Sequence, residues 1–225
     1  MKIAEPLFPN DDGSADPQLI AAISGGDRYE IVRALANSRV FIALLATLDS
    51  PAIEHAGAGI EQANDMSLAW LVDGSVKALP IFTSVAALSV WNVVARPLGV
   101  EAQRAAVVAL ADAEIAVIDP GGKNPLEIGA SALRSLALGY EYVPISVDPE
   151  VRRAIEEALA GSLDHGSQID FSVAGDFPAD LVITLFDPTP APAHAQLSAL
   201  AHHLAEDSRI RLRLEAGLEV KIAKR

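Results

Sequence analysis

The stretch that most limits the fold is Val40 to Leu48 (VFIALLATL), an apolar run that follows Arg39 and ends at Asp49-Ser50-Pro51. The longest uncharged stretch, Ala78 to Ala95, is interrupted by Pro80, Thr83, Ser84, Ser89 and Asn92 and is not the roughly 20 predominantly apolar residues of a membrane-spanning helix. The β-branched start of Val40 to Leu48 and the turn residues behind it fit a strand. A strand without polar alternation has to be covered on both faces, which puts it inside a sheet flanked by helices. The expected fold is therefore α/β to α+β: a mixed β-sheet covered by helices, with a smaller C-terminal α+β lobe ending in a β-hairpin.

The neighbouring sequence supplies the other elements. Asp16-Pro17 provides an N-cap and first helical residue, Ser24-Gly25-Gly26 interrupts, and Asp27 restarts the helix with Glu30 three residues on. Ser67 to Val72 and Val76 to Phe82 read as strands meeting at Asp73-Gly74, a strong hairpin signal, with Trp70 between Leu68 and Val72 as strand core. Thr83 or Ser84 caps a helix to about Val93 with Val85, Leu88 and Trp91 on one face, and Arg96-Pro97 ends it. Glu101 to Asp112 reads as a helix burying Val107, Val108 and Leu110, and Ile115 to Ile118 as a short strand.

The turn Asp119-Pro120-Gly121-Gly122 then leads to Asn124, Pro125 and Glu127, which suit N-cap, N1 and N3 of a helix running to Leu138. Tyr142 to Val147 is strand-like, and Asp148-Pro149 opens a helix with Val151, Ile155 and Leu159 on its apolar stripe. Ile169 to Val173 and Leu181 to Phe186 are expected strands, and His194 to Glu206 a helix. Ala52 to Asn64 lacks a period and reads as loop. The expected organisation is a flexible leader over 1–16, an α/β domain over 17–160 and a smaller lobe over 161–225, divided in the stretch Gly161 to Gly166.

At the end of the chain Ile210, Leu212 and Leu214 alternate with Arg211 and Arg213, and Leu218, Val220 and Ile222 alternate with Glu219 and Lys221. A hairpin with a three-residue turn at Glu215-Ala216-Gly217 pairs Leu214 with Leu218 and Arg213 with Glu219. Arg211, Arg213 and Lys221, with Lys224 and Arg225, would then share its outer face. On a chain of net charge −13 this matters, because residues 209–225 carry +4 and leave −17 upstream. Such a face suits an acidic protein partner or a second copy of the chain; its plainer reading is charge that protects an edge strand.

The overall negative charge disfavours nucleic acid and anionic lipid as partners. Cysteine is absent, which removes disulfides and thiol chemistry and fits a cytoplasmic location. Residues 1–16 carry four acids and no apolar core segment, unlike a secretory signal. Arginine outnumbers lysine and alanine is abundant, composition that fits a GC-rich bacterial genome.

For chemistry, Asp119, Gly121, Gly122 and Lys123 lie between an expected strand and an expected helix, where amides and a helix N-terminus hold anions. Arg96 could add charge to a small anionic ligand there; the plainer reading is an ordinary strand-to-helix turn. His55, His165, His194, His202 and His203 show no i, i+4 pair, so no metal or other cofactor is expected. Ser131 lies inside an expected helix and lacks the second glycine of a serine elbow. Asp11-Asp12 and Glu156-Glu157 show no burial that would tune them for acid–base work. No catalytic set emerges, and the expectation favours a non-catalytic protein.

The order Arg39-Val40-Phe41-Ile42-Ala43-Leu44, Leu79-Pro80-Ile81-Phe82-Thr83-Ser84, Ala87-Leu88, Trp91, Arg96-Pro97 and Ile118-Asp119-Pro120-Gly121 resembles the N-terminal domain of the SseB family. The resemblance covers roughly residues 20–138, and the remainder resembles the family's C-terminal domain more weakly. Asp119 stands where the family pattern has asparagine. The family takes its name from a serine-sensitivity phenotype in bacteria and brings no catalytic residues. The resemblance supplies no mechanism; the missing catalytic set and the uneven charge lead to the expectation of a binding or regulatory protein acting through its surface, with an unidentified protein partner or self-association. The alternative is an enzyme or sensor for a small anionic metabolite at the Asp119 to Lys123 turn.

Overall fold

The run that opens at Arg39 is a strand whose residues Val40 to Ala43 are all buried. The computed structural model describes residues 8, 11–46, 66–162, 168–176, 179–189, 192 and 194–224. The expected loop Ala52 to Asn64 and the stretch from 163 to 167 lie outside them. The strand, β1 (Arg39–Ala46), has an antiparallel neighbour on each side.

Two helices precede it. Asp16 caps α1 (Pro17–Gly25) by accepting from the Gln18 and Leu19 amides, and Asp27 caps α2 (Arg28–Ala36) by accepting from Tyr29 and Glu30. Leu19, Ile31, Val32 and Leu35 are buried. Each fully buried aliphatic side chain contributes about 1.5 to 3 kcal/mol of transfer free energy.

The expected strand Ser67 to Val72 is split into β2 (Met66–Leu68), which pairs with β1, and β3 (Leu71–Asp73), which pairs with β4 (Val76–Phe82) across a two-residue loop at Gly74-Ser75, one position after the expected Asp73-Gly74. Trp70 is half-buried beneath Lys77, whose Nζ lies 3.9 Å from the ring centroid, while Val72 points to solvent. Phe41 and Ile42 of β1 face Phe82 and Ile81 of β4. Ser84 caps α3 (Val85–Trp91) through the Ala87 amide, and Leu88, Val85 and Trp91 pack with Phe82 as expected.

Residues Arg96–Glu101 do more than end a helix: they form β5, antiparallel to β1 from Leu44 back to Arg39. The Ala102 amide donates to the Ser38 carbonyl, so even-numbered residues of β5 turn their backbone groups toward β1. Pro97 therefore faces the open edge, where a missing N–H costs no ladder bond and blunts the edge.

α4 (Ala102–Asp112) buries Ala102, Ala105, Ala106 and Ala109 in place of the expected valine and leucine face, and Val107 is exposed. Small side chains let the helix approach closely, and their i, i+3, i+4, i+7 spacing supplies the stripe. β6 (Ala116–Ile118) pairs parallel with β4, and the sheet order is β2-β1-β4-β6-β7.

The last of these strands corrects the helix expected at Asn124. Residues Leu126–Ile128 form β7, antiparallel to β6, and the helix α5 (Ala130–Leu138) begins only afterwards. A capping pattern satisfies a few orphan amides, whereas β7 satisfies a ladder against Ala116 to Ile118 and buries Ile128.

Contacts divide the chain into residues 1–129 with 136–140, and residues 130–135 with 141–225. The second unit thus begins upstream of the boundary expected at 161. The reason is α6 (Pro149–Ser162), whose Val151, Ile155 and Leu159 share one core with the C-terminal elements. These are β8 (Gln168–Asp176), β9 (Ala179–Thr189), α7 (His194–Glu206), α8 (Ser208–Arg211) and β10 (Leu218–Ala223). Residues 142–147 form no strand.

The expected terminal hairpin is absent. Ser208 to Arg211 is helical, and β10 pairs parallel with β9, Leu218 opposite Leu181 and Lys221 opposite Thr184. The small sheet runs β10-β9-β8. Leu181, Ile183 and Leu185 point into the core that receives α6, Leu200 and Leu204 of α7, and Ile210. The alternation in β10 is real, but its partner is the buried central strand: joining β9 gives Leu218 and Val220 a core to face, which a lone hairpin lacks. Among the described residues, no helix is long and apolar enough to cross a membrane.

Candidate functional site

β4 and β6 run parallel and end side by side at Phe82 and Ile118. The region just beyond the carboxyl ends of parallel strands is where open α/β sheets bind ligands. Here it holds Thr83, Ser84 and the turn from Asp119.

Asp119 has φ 47, a left-handed conformation that aspartate and asparagine tolerate better than other side chains. Its Oδ1 accepts from the Thr83 amide at 2.9 Å and its Oδ2 from the Thr83 hydroxyl at 2.8 Å. The carboxylate ties the ends of two strands together. Gly122 donates its amide to the Asp119 carbonyl at 2.8 Å, so that donor is engaged too. A Cβ on Gly121 would stand 2.8 Å from the Trp91 Cα, which makes this glycine a contact surface for α3.

Lys123 is exposed at the tip, and Arg96 is exposed on β5 opposite Leu44. The structure thus brings Asp119, Gly121 and Gly122 into one turn and leaves Arg96 on a different strand. The helix N-terminus that an anion cradle requires is missing, because β7 follows the turn.

Sequence reasoning passed over Arg39. Its Nε lies 2.6 Å from Asp11 Oδ2, and its Nη2 donates to Asp11 Oδ1 and to the Ser14 carbonyl, each at 2.7 Å. Nη1 donates to the Thr83 carbonyl at 3.2 Å, and the guanidinium sits 4.1 Å from the Phe41 ring centroid. Arg39, Thr83 and Asp119 are therefore linked. The only signal in the sequence was a lone cation opening an uncharged run. Residues 11–14 are consequently not loose: Gly13 accepts from the Val85 amide at 2.9 Å, and the Ser14 hydroxyl holds the Asp12 carboxyl below its ordinary range.

The basic patch is dispersed with the loss of the hairpin. Arg213 donates from Nε to buried Asp148, which also caps α6 through the Glu150 amide at 2.8 Å. Arg211 is exposed on α8, Lys221 is exposed on β10, and Arg225 lies outside the described residues. Glu215, expected in a simple turn, accepts from the Ser131 amide at 3.1 Å, and Asp180 accepts from the amides of Glu215, Ala216 and Gly217. Three converging amides form an anion nest, here filled by a side chain of the same unit.

A different surface stands open. Val90, Val93 and Val94 are 73%, 83% and 76% exposed at the corner between α3 and β5, with Leu98 43% exposed on β5. Asn92 accepts from the Val94 amide at 3.0 Å, a local turn that holds both valines outward while Ala95 is buried behind them.

A family model described as SseB protein N-terminal domain matches residues 18–135, just over half of the chain. No curated protein and no solved structure matches.

Proposed function

This chain belongs to the SseB family, and from that premise we propose that it is a non-catalytic binding protein of the bacterial cytoplasm, acting on a protein partner or a second copy of itself. The observation that carries this reading is the corner of Val90, Val93 and Val94, three large apolar side chains mostly in water and held there by a built turn. Contiguous exposed apolar surface favours association, since each side chain withdrawn from water contributes to binding.

The test is the double substitution Val93→Asp with Val94→Asp. Both sites are exposed, so the variant keeps its fold. Light scattering across a concentration series, with cross-linking of the partner captured by the wild type, reads the outcome. Loss of association in the variant supports the proposal; a wild type that stays monomeric and captures nothing the variant does not also capture overturns it.

The second reading, a small anion at the Asp119 to Lys123 turn, is favoured by exposed Lys123 alone. Substituting Lys123→Ala in a thermal-shift screen of phosphates and carboxylates separates the two.

A further inference from the structure

Arg39 is a planar fork whose two outward donors grip one carboxylate, through Nε at 2.6 Å and Nη2 at 2.7 Å. This bidentate geometry matches carboxylate and phosphate oxygens. The fork is oriented from behind by groups outside the segment it grips, the Thr83 carbonyl and the Phe41 ring. Its side chain is only 14% exposed, and it stands where β1 begins beside the carboxyl end of β4. The Thr83 carbonyl that orients it lies just past β4, beside the carboxyl end of parallel β6, where open α/β sheets bind ligands.

Residues 11–14 are held by the Asp11 carboxylate, by the Ser14 carbonyl on Arg39 and by the Gly13 carbonyl on the Val85 amide. Asp12 turns back on the Ser14 amide and adds its charge to the attraction toward Arg39. Gly13 makes the apolar contact, its Cβ position 2.8 Å from a Val85 methyl. The remaining holds are polar, and a soluble carboxylate or phosphate offers Arg39 the same bidentate contact that Asp11 makes.

We infer that residues 11–14 are a displaceable strap over a receptor for a small oxyanion, a carboxylate or phosphate group, and that Asp11 occupies this receptor in the ligand's place. Displacing the strap removes Asp11 and Asp12 together, so the site loses two negative charges as it opens. The site is separate from the valine corner and does not rest on it.

The experiment titrates inorganic phosphate and, separately, succinate into the full chain and into Asp11→Asn, following backbone amides and the arginine Nε signals by NMR. Asp11→Asn keeps the shape of the strap and removes its competing charge, so it binds the oxyanion about tenfold more tightly than the wild type, as expected when the competent state becomes more populated. The Arg39 Nε signal moves with saturation, and the better of the two probes identifies the oxyanion. Adding Arg39→Lys to Asp11→Asn abolishes the gain; circular dichroism checks its fold, and the Nε shift in Asp11→Asn is decisive if it unfolds. Lys123→Ala leaves the affinity unchanged. No saturable shift at millimolar probe, equal affinity of wild type and Asp11→Asn, or loss of binding in Lys123→Ala would each overturn the inference.

Discussion

Asp119 illustrates how a single residue can look like ligand chemistry and serve the backbone. Its two oxygens satisfy the amide and hydroxyl of Thr83, a residue 2% exposed, across the ends of parallel strands. Asp119→Ala leaves both groups of Thr83 without their partner and places alanine at positive φ, so it costs about 1 to 3 kcal/mol in urea unfolding. Asp119→Asn stays within about 1 kcal/mol of the wild type, because its carbonyl still accepts from the amide and its NH2 can donate to the hydroxyl. Equal destabilisation by the two variants would remove the clasp as the residue's role. The turn itself was legible from Asp119-Pro120-Gly121-Gly122. Its partner Thr83, 36 positions away, was not, because only the parallel register of β4 and β6 makes them neighbours.

At the scale of elements, local signals held where they were self-contained and failed where a distant strand competed. The caps at Asp16, Asp27 and Ser84, a hairpin within one residue of the Asp73-Gly74 signal and the bounds of α7 follow from residues within a few positions of each other. The helix read at Asn124 and the hairpin read at 210–222 did not survive, since each segment had a buried strand within reach. One consequence is measurable. The hairpin made Arg211 and Arg213 equivalent, whereas the structure gives Arg213 a partner in Asp148, which is 4% exposed. Arg213→Ala should cost roughly 3 kcal/mol, because it leaves a buried carboxylate with one fewer partner. Arg211→Ala should stay within about 0.5 kcal/mol. Hydrogen exchange at the β10 amides checks both, and equal protection in the two variants contradicts the assignment.

For the whole molecule, the acidic balance shapes the pH response, and the second unit carries a clear instance. Hydrogen bonds from Arg209 hold the carboxyls of Asp207 and Glu157 below their ordinary range. These groups bind protons more readily in the unfolded chain, so their contribution is complete above about pH 5 and fades as pH falls through their lower folded values. Arg209→Gln should therefore unfold at lower urea than the wild type near neutral pH, the two converging once pH has fallen through the lowered folded values; a gap that persists in stronger acid excludes the carboxylates as its cause. By itself the sequence determined the class of fold, through an apolar run too uniform for a one-sided sheet. It determined most helices as well, through caps and a period of 3.6 residues. Tertiary structure alone decided strand partners, the division between units, the clasp of Asp119 and the strap over Arg39. The physical reason is that backbone and charged groups are satisfied by whatever the fold brings within about 3 Å, and that proximity is a property of the packed chain.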